Sequence, residues 1–430
     1  MMNKDLVKQI LVEQNQNFLR KETGVTRGVL ANVSKKAALP HVHVITGMRR
    51  SGKSTLFRQI VKQLFRDQGI FYVNFEDERF LGFKAQEFNI IHESLIELFG
   101  EQKVFFIDEA QNVEGFELFV RRLSEQGNKF YLTGSNANLL SREISSRLTG
   151  RHIDTNLQPF SYLEYLSFRK IKPEKNDIYI TEKRALLQKM FNEYLSMGGM
   201  PEYLKYKDDE ILIRIYEDIV AKDIAIRYKI TNVFQLKQLY QLLISNFSTR
   251  FSFRSLMQQS GIRSNNTIKN YIEYLENSNF GKVINKFDHS PKKLINSPKK
   301  LYITDHAFIP KISTKLTKDF GRTLENIVFC SLTGENEVFY FSDKNECDFI
   351  AIDNAKKVQT IQVCYDLNDQ NRKREIAGLT EAMDYFQLAD GLILTMGQEE
   401  EILTGNHKIK VIPVWKWLVC SGIEAANYSN

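Results

Sequence analysis

The sequence predicts an α/β protein whose first half is built on a parallel sheet. Two observations carry this. Short apolar runs alternate with helical patterns over residues 42–158, and a complete phosphate loop, Gly47-Met-Arg-Arg-Ser-Gly-Lys-Ser-Thr55, stands between a strand and a helix. At 430 residues the chain is too long for one core, so two to four domains are expected.

The elements follow in order. Leu6, Val7, Ile10 and Leu11 recur at helical spacing and predict an amphipathic N-terminal helix within a segment 1–40. Strands are expected at 42–46, 70–75, 103–107 and 129–133, with helices at 53–66, 86–99 and 115–126 between them. A last strand near 151–157 leads to Pro159, which suits the first turn of a helix at 160–169. Residues 182–230 read as helical, broken at Gly198-Gly199-Met200-Pro201. From 235 three amphipathic helices precede two strand-like runs in 281–303, the order of a winged helix. The remainder opens with a helix near 321 and mixes strands at 338–341, 347–352, 358–364, 391–395 and 409–412 with a helix at 371–387, a second α/β domain. The resulting division is 1–40, 41–158, 159–232, 233–312 and 313–430.

The phosphate loop names a ligand and a metal, ATP and Mg²⁺. Gly47 and Gly52 allow a tight turn whose N–H groups face a triphosphate, Lys53 reaches the β- and γ-phosphates, and the Ser54 hydroxyl suits Mg²⁺. Gly47, Arg50, Ser51, Gly52, Lys53, Ser54 and Thr55 are therefore the candidate nucleotide-binding residues. The apolar run Val104–Ile107 ends in Asp108-Glu109, an acid for the magnesium shell followed by one that can polarise the attacking water. The next strand ends in Thr133-Gly134-Ser135-Asn136. Ser135 and Asn136 are both candidates to sense the γ-phosphate, and a capping turn is the alternative. Arg142, Arg147 and Arg151 follow; Arg147 or Arg151 could serve a neighbouring subunit as an arginine finger.

Charge and cysteine usage bound the setting. With 59 Lys+Arg against 52 Asp+Glu the net charge is +7, a mild excess compatible with nucleic acid. Cys330, Cys347, Cys364 and Cys420 form no C-x-x-C pair and read as reduced thiols of a cytoplasmic protein, not as a zinc site or disulfide framework. No apolar run has the length of a membrane span.

The phosphate loop, Val73-Asn-Phe-Glu-Asp77, Phe106-Ile-Asp-Glu-Ala-Gln111, Leu132-Thr-Gly-Ser135, Leu148-Thr-Gly-Arg151, Pro159-Phe-Ser161 and Gly198-Gly-Met-Pro-Glu202 succeed one another along nearly the whole chain. In this order they resemble the bacterial and archaeal AAA-type ATPases that carry a C-terminal domain of unassigned function. The resemblance implies an AAA-like ATPase core, a helical segment, a winged helix and a C-terminal domain related to PD-(D/E)xK nucleases, which are restriction-endonuclease-like α/β folds. It also implies a homo-oligomer with nucleotide at subunit interfaces, and favours Arg151 as the finger.

Two further sets of residues bear on partners. Arg263, Asn265, Asn266 and Lys269 lie in the turn and first turn of the third helix, where helix-turn-helix proteins meet the major groove. Lysines 282, 286, 292, 293, 299 and 300 then crowd the expected hairpin, with Lys292, Lys293, Lys299 and Lys300 as candidate phosphate contacts. In the C-terminal domain Glu325, Asp348, Gln362 and Cys364 occupy the positions of a PD-(D/E)xK site. Gln replaces an acid and Cys replaces the lysine that such a site needs near the attacking water. A degenerate site, in a fold that binds DNA without cutting or only mediates assembly, is the expectation. The leading functional reading is an ATP-driven protein acting on DNA. Its rival is a nucleotide-controlled switch or scaffold that recognises a protein partner in signalling or defence.

Overall fold

The computed structural model describes residues 2–135 and 151–427, apart from 316, 318 and 335. The chain divides into two compact units. The first runs to Pro159 and takes in Asn277–Asn279; the second holds the other residues from Phe160 onward.

The first unit is a five-stranded parallel sheet. Its strands are β1 (Val42–Thr46), β2 (Phe71–Asn74), β3 (Val104–Asp108), β4 (Lys129–Gly134) and β5 (His152–Asn156), in the order β2-β3-β4-β1-β5. β1 and β3 are buried along their whole length, as a strand covered on both faces must be. Their side chains divide by the period of two. Phe105 and Ile107 join the core beneath the helices Phe88–Phe99 and Phe116–Glu125, while Val104 and Phe106 join the core beneath the helix Lys53–Leu64. Aromatic rings knit neighbouring strands, with Phe105 stacked on Phe130 and Phe106 on Tyr131, both pairs at 4.7 Å. The N-terminal helix, Lys4–Arg20, is part of this core: Val7, Ile10 and Leu11 are fully buried in it. The Gln14 amide pairs reciprocally with the backbone of Asn74, 2.9 Å each way, and so covers the open edge of β2.

The second unit opens with the helix Tyr162–Phe168. Its N-cap is Ser161, whose hydroxyl and Glu164 close a capping box, so Pro159 precedes the helix instead of starting it. Helices Thr181–Met197, Pro201–Tyr206 and Asp209–Asp218 follow, and the last runs into a π-helical stretch, Ile219–Ile226. The Gly198-Gly199 break has a packing cause. A Cβ on Gly198 would lie 2.0 Å from the Asp305 carboxylate and one on Gly199 2.1 Å from the Phe160 carbonyl, while the Gly199 N–H donates to Asp305 at 2.8 Å.

Next come the helices Val233–Ser245, Phe253–Ser260 and Asn265–Asn277, and a small antiparallel sheet. Its strands are β6 (Arg250–Phe251), β7 (Gly281–Asn285) and β8 (Lys299–Ile303), in the order β6-β8-β7. The connection from β7 to β8 contains a helix, Pro291–Asn296, too short for apolar periodicity to announce. The last sheet has six strands: β9 (Asn336–Ser342), β10 (Glu346–Asp353), β11 (Val358–Val363), β12 (Asp390–Thr395), β13 (Glu400–Thr404) and β14 (His407–Pro413), in the order β13-β14-β12-β11-β10-β9. It is mixed, with β11-β12 and β12-β14 parallel and the other pairs antiparallel. The helices Phe320–Leu332, Arg372–Phe386 and Val414–Asn427 accompany it. Among the described residues no helix is long and apolar enough to cross a membrane.

Candidate functional site

The phosphate loop leaves β1 and enters the helix Lys53–Leu64. Two of its glycines are required by the backbone. Gly52 has φ 102°, and a Cβ on Gly47 would stand 2.3 Å from the Leu157 carbonyl oxygen. Arg50 also takes positive φ, 63°, and is exposed. Ser51 is buried, and its Oγ has no hydrogen-bond partner, a polar atom left over inside the loop. The Lys53 ammonium is folded back into the loop at 3.2 Å from the Gly47 carbonyl and 3.4 Å from that of Met48, and it pairs with Glu109 at 3.3 Å. Thr55, on the first turn of the helix, accepts from Arg58 at 2.8 Å.

Asp108 and Glu109 stand at the end of β3. Asp108 is buried, accepts from Tyr72 at 3.2 Å, and takes a hydrogen bond from the Thr133 hydroxyl. Its pKa is raised: burial pushes it up and the Glu109 charge adds, against opposing hydrogen bonds from Ser54 and Thr133. Ser54 and Asp108 are thus already within hydrogen-bond reach of each other. Glu109 adopts a left-handed backbone, φ 50°, which turns its side chain back toward the loop. Its carboxylate accepts from Gln111 at 2.5 Å and from the Ser135 N–H at 3.3 Å. Burial alone would push Glu109 up, but Lys53, Gln111 and Arg49 outweigh it and hold the carboxyl below its usual range.

Thr133 links the two acids. Its hydroxyl accepts from the Glu109 N–H at 3.0 Å while donating to Asp108, which fixes both relative to β4. Motif spacing assigns this residue no role; its place at a strand end beside that of Asp108 is the available signal. Arg27 carries no such signal. It is buried and donates to the Ser51 carbonyl at 2.8 Å and to the Gln158 carbonyl, tying the loop to the end of β5. The structure therefore brings Lys53, Ser54, Asp108, Glu109 and Ser135 together. Arg151 is exposed immediately before β5. Asn136, Arg142 and Arg147 lie outside the described residues.

In the second unit Arg263, Asn265, Asn266 and Lys269 are exposed in and before the first turn of the helix Asn265–Asn277. Lys292 and Lys293 are exposed on the helix Pro291–Asn296. Lys299 is half-buried; it donates to Asn285 and shares the face of Phe253 with Lys269, at 6.0 and 5.3 Å. Lys300 corrects the expectation. It is 2% exposed, and its ammonium lies 2.8 Å from Glu346, 3.1 Å from Glu325 and 3.2 Å from Asp348, so it has none to offer a phosphate.

Glu325, Asp348 and Gln362 do come together. The Asp348 N–H donates to Gln362 Oε1 at 3.2 Å, and Gln362 Nε2 donates to Glu375 at 2.6 Å. Cys364 is largely buried, and burial pushes its thiol up to about 12, leaving it a neutral hydrophobe. The cation beside Glu325 and Asp348 is Lys300 of β8.

Residues 40–166 match the family described as AAA domain, and residues 188–318 match a domain of unknown function, DUF8612. The uncharacterized protein MJ1544 of Methanocaldococcus jannaschii is 32% identical over 437 residues, covering 97% of this chain and 96% of that one. An uncharacterized protein of Haemophilus influenzae is 29% identical over 393 residues, covering 88% of this chain and 94% of its own. Among solved structures, AMPPCP-bound DnaA from Aquifex aeolicus is similar at 13% identity and a TM-score of 0.26, covering 58% of this chain and 86% of that one. The RuvB Holliday junction branch migration motor of Thermotoga maritima is similar at 18% identity and a TM-score of 0.25, covering 65% and 89%. Both scores are too low for the likeness to carry an argument.

Proposed function

Because this chain belongs to the same family as the Methanocaldococcus jannaschii protein and has an AAA domain in its first half, we propose that it is a Mg²⁺-dependent ATPase that works on DNA. The observation that carries the ATPase is the convergence of Lys53, Ser54, Asp108 and Glu109 on one buried corner. In this reading the loop N–H groups and Lys53 hold the β- and γ-phosphates. Ser54 and Asp108 would hold Mg²⁺, which would supply positive charge against that developing on the phosphoryl oxygens. Lys53 moves onto the triphosphate and releases Glu109, which then takes a proton from the attacking water. Ser135, hydrogen-bonded to Glu109, reports the γ-phosphate, and Arg151 is offered to the nucleotide of a neighbouring copy.

The DNA part of the proposal rests on the exposed Arg263, Asn265, Asn266, Lys269, Lys292 and Lys293. The three helices and small sheet of 233–312 serve as a winged helix with these residues on its nucleic-acid side. The segment 313–430 is a nuclease-like fold that does not cut, because Gln362 and Cys364 stand where an acid and a lysine are needed.

The test is phosphate release by the full chain, with and without duplex DNA at low salt, beside K53A and E109Q. Lys53→Ala should lose nucleotide binding, and Glu109→Gln should bind ATP but turn it over at least about 100-fold more slowly. Equal turnover in all three proteins would falsify the ATPase assignment. Turnover indifferent to DNA, with no shift of any duplex, would remove the DNA part.

A further inference from the structure

Outside the first unit, a buried cluster of charge gathers around Lys300. Three carboxylates reach one ammonium: Glu325 from the helix Phe320–Leu332, and Glu346 and Asp348 from β10. The ammonium comes from β8, in the small antiparallel sheet. Its strand neighbour on the same face, Tyr302, donates to the same Glu325 oxygen at 2.5 Å and stacks on Phe329 at 4.2 Å. Arg250, the cross-strand partner of Lys300 on β6, takes the other Glu346 oxygen at 3.0 Å.

Asp348 is held from behind. Its second carboxylate oxygen accepts the Val363 N–H at 3.0 Å, and Gln362 bridges the Asp348 N–H to Glu375. The three oxygens nearest Lys300 therefore surround one point, which is where a cation belongs and where this protein has placed one of its own. Burial alone would pull the lysine toward neutrality; Glu325, Tyr302, Asp348 and Glu346 outweigh it and keep it charged.

We propose that Lys300 is a built-in counter-cation: it fills the acidic site of the six-stranded sheet, closes that site to divalent metal, and fastens the small sheet to it. The ligand class of the site, once vacated, is a hard divalent cation such as Mn²⁺, because its converging donors are carboxylate oxygens and water can complete the coordination. A lysine serving an active metal centre would sit beside the metal; this one sits where the carboxylates converge. None of this depends on the ATPase assignment.

The test is Mn²⁺ binding by the full nucleotide-free chain, read by electron paramagnetic resonance, with thermal unfolding alongside. Wild type should bind no Mn²⁺ that D348N abolishes. Lys300→Met should gain one site per chain and rise in Tm with Mn²⁺, and both gains should vanish in K300M/D348N. Wild-type Mn²⁺ binding that D348N removes would overturn the proposal in favour of an active metal centre. So would a folded K300M that takes no Mn²⁺. If K300M fails to fold, E325Q and D348N added to it should restore folding, because the unpaired carboxylates are then the fault. A triple variant no more stable than K300M would equally overturn the idea.

Discussion

Thr133 shows how much a single hydroxyl can settle at the nucleotide site. By accepting from the Glu109 N–H and donating to Asp108 it sets at a fixed spacing the two acids proposed to hold the metal and to take the water's proton. Thr133→Val keeps the volume and loses both bonds. Its kcat should fall about 10- to 100-fold, as misplacement of a base does, while KM for ATP moves far less. A variant that changed KM alone would show that the hydroxyl serves binding. His43 offers a second prediction. It lies in β1, stacked on Tyr131 at 4.8 Å, and burial with the Lys129 charge pushes its pKa down to about 4. The unfolded chain takes up this proton near pH 6.5 and the folded chain only near 4. The stabilisation is thus present above 6.5, declines as pH falls, and is gone below about 4. Allowing for partial solvation, roughly 2 kcal/mol is at stake. His43→Phe should flatten that part of the stability curve measured by urea unfolding. Parallel curves for the two proteins would exclude His43 as the cause.

Elements with strong periodicity or a motif were legible in the sequence, and those set by tertiary pairing were not. The strands of the first sheet are continuous apolar runs flanked by turn signals, and the phosphate loop fixes the junction of β1 with its helix. β13, Glu400–Thr404, is largely polar and edges the last sheet, so little in it announces a strand. Lys299 and Lys300 look alike in sequence, yet the pleat sends them to opposite faces, one to Phe253 and one into the carboxylates. Tyr302, two residues on from Lys300, is buried, but so are Leu301 and Ile303 on the Lys299 face, so alternation in the sequence does not separate the two lysines. The DNA contact proposed for the exposed Lys292 and Lys293 has its own measurement. Lys292→Ala with Lys293→Ala should reduce the slope of log K against log salt by up to about 1.8, roughly 0.9 for each phosphate that is no longer neutralised. An unchanged slope would show that these lysines meet no phosphate.

At the scale of the whole molecule, the AAA match begins at residue 40, but the core it belongs to begins earlier. Val7, Ile10 and Leu11 are fully buried against the first sheet, and each is worth about 1.5–3 kcal/mol. Their sum rivals the total stability of an ordinary domain. A chain shortened to begin at residue 40 should therefore unfold or aggregate, seen by size-exclusion chromatography and circular dichroism. A well-folded monomer of the shortened chain would show that the helix is dispensable.

That helix also imposes an order on biosynthesis. Lys4–Arg20 leaves the ribosome before β2 and the helix Phe88–Phe99, the elements it packs against. Until residues near 99 have emerged, its apolar stripe has no home in its own chain. The nascent protein must spend that interval with the stripe exposed or shielded by a chaperone. Slow codons placed between the helix and β2 should lower soluble yield without changing a single amino acid.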